Sequence, residues 1–243
     1  MNKDEVFKLI RNALGSKEDA LQDRVNALLD ANNELVKEIE KMLPAALETY
    51  YNTKYPQKNM FYLRHETDGD YKIDVRNFFQ VNDAKIPTIK RSNGPLNQDD
   101  IVALDALKYV IEKIKYVKDS AKESYKTTEY WAYAYQTLMH QQGDCEDGAI
   151  LLANILVKSG IPYWKVRISA GNVLLHGKKV GHSFVTYYCE EQDRWVVLDW
   201  CYWPNLLPLN QRKDYAQEEN YLDVWFSFNE KYAFSTGTRT TIQ

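Results

Sequence analysis

The stretch 143–159, GDCEDGAILLANILVKS, contains the pattern around which the rest of the chain is expected to fold. Its apolar residues recur three to four positions apart, which is the spacing of one buried face of an α-helix. Cys145 falls at the start of this helix, where free backbone N–H groups and the positive end of the helix dipole favour a thiolate. The neighbouring carboxylates disfavour that thiolate, so a nucleophilic Cys145 needs a cationic partner. A small buried cysteine without chemistry is the alternative.

A second pattern, GHSFVTYYCEEQDRWVVLDWCYW at 181–203, predicts a β-hairpin because two β-branched and aromatic runs are joined by a polar segment. Folding the chain back at 190–193 brings Asp199 or Cys201 opposite His182. In either register His182 and Asp199 point to the same side of the sheet, within side-chain reach. The aspartate would hold the imidazole in one tautomer, and the imidazolium would stabilise the thiolate of Cys145.

The two segments quoted above resemble the transglutaminase-like superfamily, and within it the bacterial, archaeal and phage transglutaminase-like cysteine peptidases. Three further segments share the resemblance: IEKIKYVKDS (111–120), EYWAYAYQTL (129–138) and VRISAG (166–171). The resemblance implies acyl transfer by a papain-like triad of Cys145, His182 and Asp199. It also implies an α+β fold, in which the helix that bears the nucleophile packs on an antiparallel sheet.

Two features depart from the pattern of that family. Relatives commonly carry a proline and a glutamate before the nucleophile, where this chain has Tyr135 and Gln136. Ser183 stands where an alanine-like residue commonly follows the histidine. Neither departure involves the three catalytic candidates, but both change residues that are expected to shape the pocket.

The composition is that of an ordinary soluble globular protein, with 44% hydrophobic and 27% charged residues among 243. A net charge of -3 gives no electrostatic reason to expect nucleic acid or a membrane as partner. Three cysteines are too few for a disulfide framework and favour a reducing compartment. Without a signal-peptide pattern, a cytoplasmic protein is expected, or a virion-associated one if phage-encoded. No zinc spacing or phosphate-binding loop occurs, so no metal or cofactor is expected.

Three segments are expected along the chain: an N-terminal helical extension over 1–56, a β-hairpin and linker over 57–96, and the catalytic domain over 97–243. Within the extension, residues 16–43 carry an apolar heptad pattern with Asn32 at a core position, which is typical of parallel two-stranded coiled coils. Leu29 widens this apolar stripe beyond a two-stranded seam. Packing of the helix on its own catalytic domain therefore competes with self-association into a homo-oligomer.

The catalytic domain is expected to begin with an amphipathic helix over 101–117 that packs on the helix of Cys145. Residues 163–169 predict a strand, and the glycines of 170–181 predict a loop that flanks the site.

An acyl-transfer site also needs a donor for the oxyanion of its tetrahedral intermediate. The backbone N–H of Cys145 can supply one hydrogen bond. The side-chain candidates for another are Gln136, Gln141 and Gln142. Three aromatic residues either line a substrate groove or belong to the core: Trp131, Tyr133 and Tyr135.

Other histidines and cysteines compete less well for the catalytic roles. His176 is a rival base, but it lacks a carboxylate in register. Cys201 is a rival thiol that has no helix behind it. His140 favours a surface or structural role, since it is not aimed at the helix start.

The favoured function is that of a cysteine peptidase that hydrolyses amide bonds of a protein or peptide substrate. Transamidation is the alternative outcome if an amine replaces water. A different class is a non-catalytic structural or assembly protein, such as a phage particle component, which the heptad pattern favours. The three matched polar residues count against it.

Overall fold

The computed structural model describes residues 21–32, 34–35, 42, 59–66, 68–91, 98–121, 129–189, 192–236 and 241–242. The chain divides into two compact units, Met1–Tyr51 and Asn52–Gln243. Part of the heptad pattern over 16–43, including Ile39, and the predicted linker residues Gly94 and Pro95 lie outside the described residues. No helix of the described ranges combines the length and the hydropathy of a membrane span.

The first unit contains helix α1, described over 21–32, 34–35 and 42. The predicted N-terminal helix is therefore present. Its described residues are all exposed, among them the heptad residues Leu28 and Leu35.

The second unit mixes helices with antiparallel strands. Its elements are β1 (Phe61–Glu66), β2 (Gly69–Asp74), α2 (Gln98–Lys113), β3 (Lys115–Tyr116), α3 (Ala134–His140), β4 (Gln142–Gly143), α4 (Cys145–Lys158), β5 (Val166–Leu175), β6 (Lys178–Cys189), β7 (Arg194–Leu198), β8 (Tyr221–Phe228), β9 (Ala233–Ser235) and β10 (Thr241–Ile242). The main sheet has the antiparallel order β7-β6-β5-β8-β9. Together with α4 it gives the predicted α+β fold, confirming that expectation. A smaller sheet has the order β10-β1-β2.

Helix α4 forms the centre of the core because it is apolar on nearly every side. All residues from Glu146 to Leu156 are buried, and α2, α3, β5 and β6 pack around the helix. The one amide in this run, Asn154, donates to the carbonyl oxygens of Phe78 and Ile150, both at 2.9 Å. These bonds satisfy a polar group that would otherwise be costly to bury, and they attach the segment after β2 to α4.

The predicted loop over 170–181 is wrong, because this segment forms the β5–β6 hairpin. The turn consists of His176 and Gly177, whose φ angles of 48° and 75° suit the mirror-image turns that match strand twist. Gly171 is not a loop residue either: a Cβ there would lie 1.9 Å from the backbone oxygen of Asp223 in β8. The glycines thus serve a turn and a close strand approach rather than a mobile flank.

The helix predicted over 101–117 is too long. Helix α2 ends at Lys113, and β3 follows, pairing in parallel with β4 through Tyr116 and Gly143. The Val117 N–H donates to the Gly143 carbonyl oxygen at 2.9 Å. Apolar residues after Lys113 continue the helical spacing, but backbone pairing with a strand 27 positions away replaces the helix. Local periodicity carries no information about such a distant partner.

Candidate active site

Cys145 is the first residue of α4, as predicted, and it is half-buried. Its carbonyl oxygen accepts a hydrogen bond from Trp200 Nε1 at 3.1 Å. The Trp200 ring can approach this closely because residue 148 is glycine: a Cβ at Gly148 would lie 2.1 Å from the ring. The first turn of α4 is therefore bound directly to the residue that follows Asp199.

His182 and Asp199 form a buried pair. His182 Nε2 lies 2.7 Å from Asp199 Oδ2, and the two side chains are 0% and 1% exposed. His182 belongs to β6 and Asp199 follows β7, which pair through Val185 and Leu198. Continued by three residues, this register sets Cys201 opposite His182, one of the two registers expected.

Asp199 accepts further hydrogen bonds that hold its carboxylate in place. Oδ1 accepts from the backbone N–H groups of Cys201 and Tyr202 at 2.9 and 3.1 Å, and Oδ2 also accepts from the Tyr221 hydroxyl at 2.8 Å. Burial raises the pKa of Asp199, but the hydrogen bond and charge of His182, with the other donors, outweigh burial and lower this pKa below its usual value. The carboxylate is therefore ionised at neutral pH and aimed at the imidazole.

Cys145 and His182 both line one cavity of about 380 Å³. The Cys145 thiol donates to Glu146 Oε2 at 3.3 Å, while His182 Nδ1, which is buried, has no hydrogen-bond partner. The structure thus joins His182 to Asp199 and sets Cys145 on the same cavity, without a hydrogen bond between thiol and imidazole.

The surroundings of Cys145 oppose a lone thiolate. Burial raises the pKa of the thiol strongly, and the negative charge of Asp144 raises it further. Hydrogen bonds from the Ser183 backbone N–H and with Glu146 offset only part of this shift. A thiolate at this position accordingly needs a positive partner within the cavity.

Four carboxylates lie close together at and near the start of α4. Their oxygens lie within 4.8 Å of one another and belong to Asp119, Asp144, Glu146 and Asp147. Some of these oxygens have backbone donors: the Ala132 N–H donates to Asp147 Oδ1 at 2.7 Å. Glu146 is 4% exposed, and its Oε1 has no hydrogen-bond partner. Burial raises the pKa of Glu146 well above its usual range, and the charges of Cys145 and Asp147 add to the shift.

This cluster has the donor chemistry of a site for a hard divalent cation. All its ligand atoms are carboxylate oxygens, which calcium and magnesium prefer, and the unpartnered Glu146 Oε1 would gain a ligand role. The sequence alone predicts no metal, and it indicates only that the negative charges of the carboxylates in 144–147 disfavour a thiolate at Cys145. The fourth member, Asp119, lies 25 positions upstream and has no local signal of its role.

The predicted glutamine donors are not supported as oxyanion residues. None of the three is among the described residues that line the cavity. Gln136 Oε1 accepts from the Tyr133 N–H at 2.8 Å and so caps α3, and Gln141 ends that helix in the left-handed conformation, with a φ of 51°. The backbone of Gln142 pairs with Lys115 between β4 and β3. Proximity in sequence to Cys145 therefore does not by itself bring a side chain into the cavity.

The predicted aromatic groove is only partly present. Trp131 lines the cavity, but it is 3% exposed and stacks on Tyr62 in the core, with ring centroids 5.2 Å apart. Tyr133 and Tyr135 stack on each other and are not among the residues that line the cavity. The aromatic rings that do line it are Tyr116, Trp131, Tyr202, Trp225 and Phe226. Of these, only Trp131 was singled out from the sequence.

The rival residues are not among those that line the cavity. His176 is exposed at the tip of the β5–β6 hairpin, and His140 is exposed at the end of α3. Cys201 is close to the His182–Asp199 pair, since its Sγ lies within 4.8 Å of a ring nitrogen of His182 and of a carboxylate oxygen of Asp199. It does not line the cavity, and burial raises the pKa of its thiol strongly.

Comparison with known proteins gives one family match, and it spans all three catalytic candidates. Residues 93–200 match the model of the Transglutaminase-like superfamily. Among solved structures, calcium-bound LapG from Legionella pneumophila is 19% identical, with a TM-score of 0.45 over 61% of this chain and 73% of that one. EGTA-treated LapG is 22% identical, with a TM-score of 0.44 over 60% and 70%. Among curated proteins no match was found.

Proposed function

From the match of residues 93–200 to the Transglutaminase-like superfamily, we propose that this chain is a thiol enzyme that transfers acyl groups from amide bonds. Cys145 is the nucleophile, His182 the general base and acid, and Asp199 the residue that orients the imidazole. The observation that carries the proposal is the buried contact of His182 Nε2 with Asp199 Oδ2 at 2.7 Å. It leaves Nδ1 available in the cavity that Cys145 lines.

The reaction begins with a rotation of the Cys145 side chain that exchanges its hydrogen bond to Glu146 for one to His182 Nδ1. Nδ1 then takes the thiol proton, and the thiolate attacks the carbonyl carbon of the amide. The imidazolium protonates the leaving amine while Asp199 stabilises the positive charge. Water, deprotonated by His182, finally cleaves the thioester and releases the carboxylic acid.

Hydrolysis is the favoured outcome, as in the cysteine peptidase branch that the sequence resembles. Transamidation would follow if an amine replaced water at the thioester. The cavity is large enough for a peptide side chain, and its aromatic lining suits an apolar one. Trp225, which is 38% exposed, forms part of its rim.

A thiol-labelling experiment tests this function without a known substrate. Iodoacetamide should alkylate Cys145 quickly, with a rate that depends on pH and falls in His182→Ala. Cys189 is the internal control: it is buried, its thiol donates to Asp100 Oδ2 at 2.9 Å, and burial raises its pKa to about 12. Labelling of Cys145 no faster than that of Cys189 would contradict the proposal.

A peptide and amine-acceptor library then identifies the reaction. Mass spectrometry should detect cleaved or transamidated products with the wild-type chain and none with Cys145→Ala. Equal product formation by the two proteins would refute the role of Cys145.

We also propose that the acidic cluster binds calcium. Asp119, Asp144, Glu146 and Asp147 would supply the ligands, and the bound ion would add positive charge beside the first turn of α4. Binding would engage Glu146, whose Oε2 otherwise accepts a hydrogen bond from the Cys145 thiol.

Titration calorimetry with calcium chloride on the full chain tests this site. Wild type should bind calcium, and Glu146→Gln should bind it at least about tenfold more weakly, since one charged ligand is lost. Asp105→Asn, an exposed carboxylate on α2, is the matched control and should bind as wild type does. Equal affinities for wild type and Glu146→Gln would exclude the cluster as the site.

The alternative function is a non-catalytic assembly protein. Two observations favour it: the thiol of Cys145 is hydrogen-bonded to Glu146 rather than to His182, and α1 exposes its heptad residues. For α1 we propose association with a second copy of this chain, because a core-position asparagine, Asn32, is a device of parallel coiled-coil dimers.

A further inference from the structure

We propose that the paired hydroxyls of Tyr116 and Tyr202 donate the side-chain hydrogen bond to the oxyanion in this site. This inference rests on the proposed acyl transfer at Cys145. It fills a role that the glutamines near the nucleophile do not fill, because those side chains do not line the cavity. Tyr116 and Tyr202 both line it, and their hydroxyl oxygens lie 3.4 Å apart.

Tyr116 is held at the site by the backbone. It is the second residue of β3 and pairs with Gly143, two residues before the nucleophile. Hydrogen bonds on either side of it, from Lys115 N to Gln141 O and from Val117 N to Gly143 O, fix this register. Its ring also packs against Trp200, which binds the carbonyl oxygen of Cys145. A side chain anchored in this way needs little reorganisation when charge develops at the substrate.

Tyr202 is held by the catalytic pair itself. Its backbone N–H donates to Asp199 Oδ1 at 3.1 Å. Its ring stacks on the imidazole of His182, with centroids 4.1 Å apart and planes 5° apart. The ring therefore shields one face of the imidazole from water, and its hydroxyl extends towards that of Tyr116.

The electrostatics keep both phenols protonated. Burial raises the pKa of Tyr116 and of Tyr202, and the charge of Cys145 raises both further. Both hydroxyls thus remain neutral hydrogen-bond donors at neutral pH.

Two hydroxyls that share one hydrogen bond leave one proton free. As the bond from Sγ to the carbonyl carbon forms, the π electrons of the carbonyl move to its oxygen. That oxygen accepts a hydrogen bond from the free O–H, and from the Cys145 backbone N–H, without proton transfer. When the intermediate collapses, the electrons return and the carbon–nitrogen bond breaks. Removing one hydroxyl frees the other, so only loss of both leaves the oxyanion without this donor.

The test compares two reactions of the same thiol. p-Nitrophenyl acetate acylates a cysteine through a tetrahedral oxyanion, whereas iodoacetamide alkylates it by direct displacement without one. Single-turnover rates of both are measured for wild type, Tyr116→Phe, Tyr202→Phe and the double variant, with Cys145→Ala as background. Tyr71→Phe, an exposed tyrosine of the β1–β2 hairpin, is the matched control.

We expect acylation to stay within about threefold of wild type in each single variant, because the remaining hydroxyl still donates, and to fall by about 100-fold in the double variant, the effect of losing one oxyanion donor. Alkylation should stay within about twofold of wild type. Unchanged acylation in the double variant would overturn the inference and leave the proposed function intact. A parallel fall of both rates would overturn it too, because the tyrosines would then act on the thiol. A wild-type Cys145 inert in both reactions would instead refute the proposed function itself.

Discussion

Helices α1 and α4 both carry apolar residues at helical spacing, but their surroundings differ completely. Val25 and Leu28 of α1 are 42% and 71% exposed, whereas Leu151 and Leu152 of α4 are fully buried. Helix α4 meets a sheet and two helices within its own unit, while the described part of α1 presents its apolar stripe to solvent. Spacing therefore predicts a helix, but the cover for its apolar face comes from the rest of the fold or from another chain.

The largest effect on activity is expected at the His182–Asp199 pair, where the buried helix α4 meets the main sheet. Asp199→Asn should lower kcat/KM by about 10³- to 10⁴-fold, because the amide no longer stabilises the imidazolium and favours the wrong tautomer. The measurement is steady-state hydrolysis of a peptide found in the library screen. A loss below about tenfold would mean that His182 works without its carboxylate.

Leucine-to-alanine substitutions compare the two helices directly. Leu152→Ala should lower the free energy of unfolding by about 2–5 kcal/mol, since it leaves a cavity in the core. Leu28→Ala should change it by less than about 0.5 kcal/mol, as at other exposed positions. Urea unfolding of both variants measures the difference. Similar losses would show that α1 is covered in solution.

Gly148→Ala tests the contact between α4 and the end of β7. An added methyl group would lie 2.1 Å from the Trp200 ring, so the ring must move away. We expect a loss of about 1–3 kcal/mol in stability, the usual effect of overpacking. Acylation by p-nitrophenyl acetate should fall as well. Ala153→Gly, in the same helix, is the control: it removes a methyl group without a clash. A Gly148→Ala variant as active as wild type would show that the Trp200 contact is dispensable.

Lowering the pH should remove the stability that the ionised Asp199 carboxylate contributes to the folded second unit. The folded pKa of Asp199 is lowered below the unfolded value of about 3.9. Its ionised form therefore contributes stability above about pH 5, and this contribution is lost as the pH falls through the folded pKa. The difference in unfolding free energy between wild type and Asp199→Asn should shrink below about pH 4. A constant difference down to pH 2 would contradict this assignment.

The smallest effect on stability is expected from charges placed on α1. Leu28→Lys combined with Leu35→Lys should leave the unfolding of the second unit unchanged, because both side chains are exposed. If α1 pairs with a second copy, light scattering should give a wild-type mass near twice that of the double variant. Equal masses would rule out self-association through this helix.

The parts of the site that were predictable depend on local patterns. Helical spacing placed Cys145 at a helix start, and the hairpin at 181–203 placed His182 beside Asp199, with the family resemblance joining the three. The model of the Transglutaminase-like superfamily matches residues 93–200, which include all three of these residues. Alternation within a strand settles which face a side chain takes, so the histidine and the aspartate could be paired from sequence alone.

The parts that were missed depend on distant pairing. Tyr116 lines the cavity only because β3 pairs with β4. The same strand pairing brings Asp119, three residues further on, close to the carboxylates at the start of α4. Tyr221 reaches Asp199 from β8. The glycines of 170–181 suggested a loop because the close approach of β8 at Gly171 has no signature in the segment itself. Propensity and periodicity describe neighbours along the chain, not neighbours across it.

The hydrogen bond from Trp200 to the Cys145 carbonyl oxygen links the sheet and helix halves of the site through backbone and core atoms. These halves cannot drift apart while the core remains folded. Heat should therefore inactivate this protein in one step, with lost turnover and lost tertiary structure sharing a single midpoint, and cooling below that midpoint should restore both together.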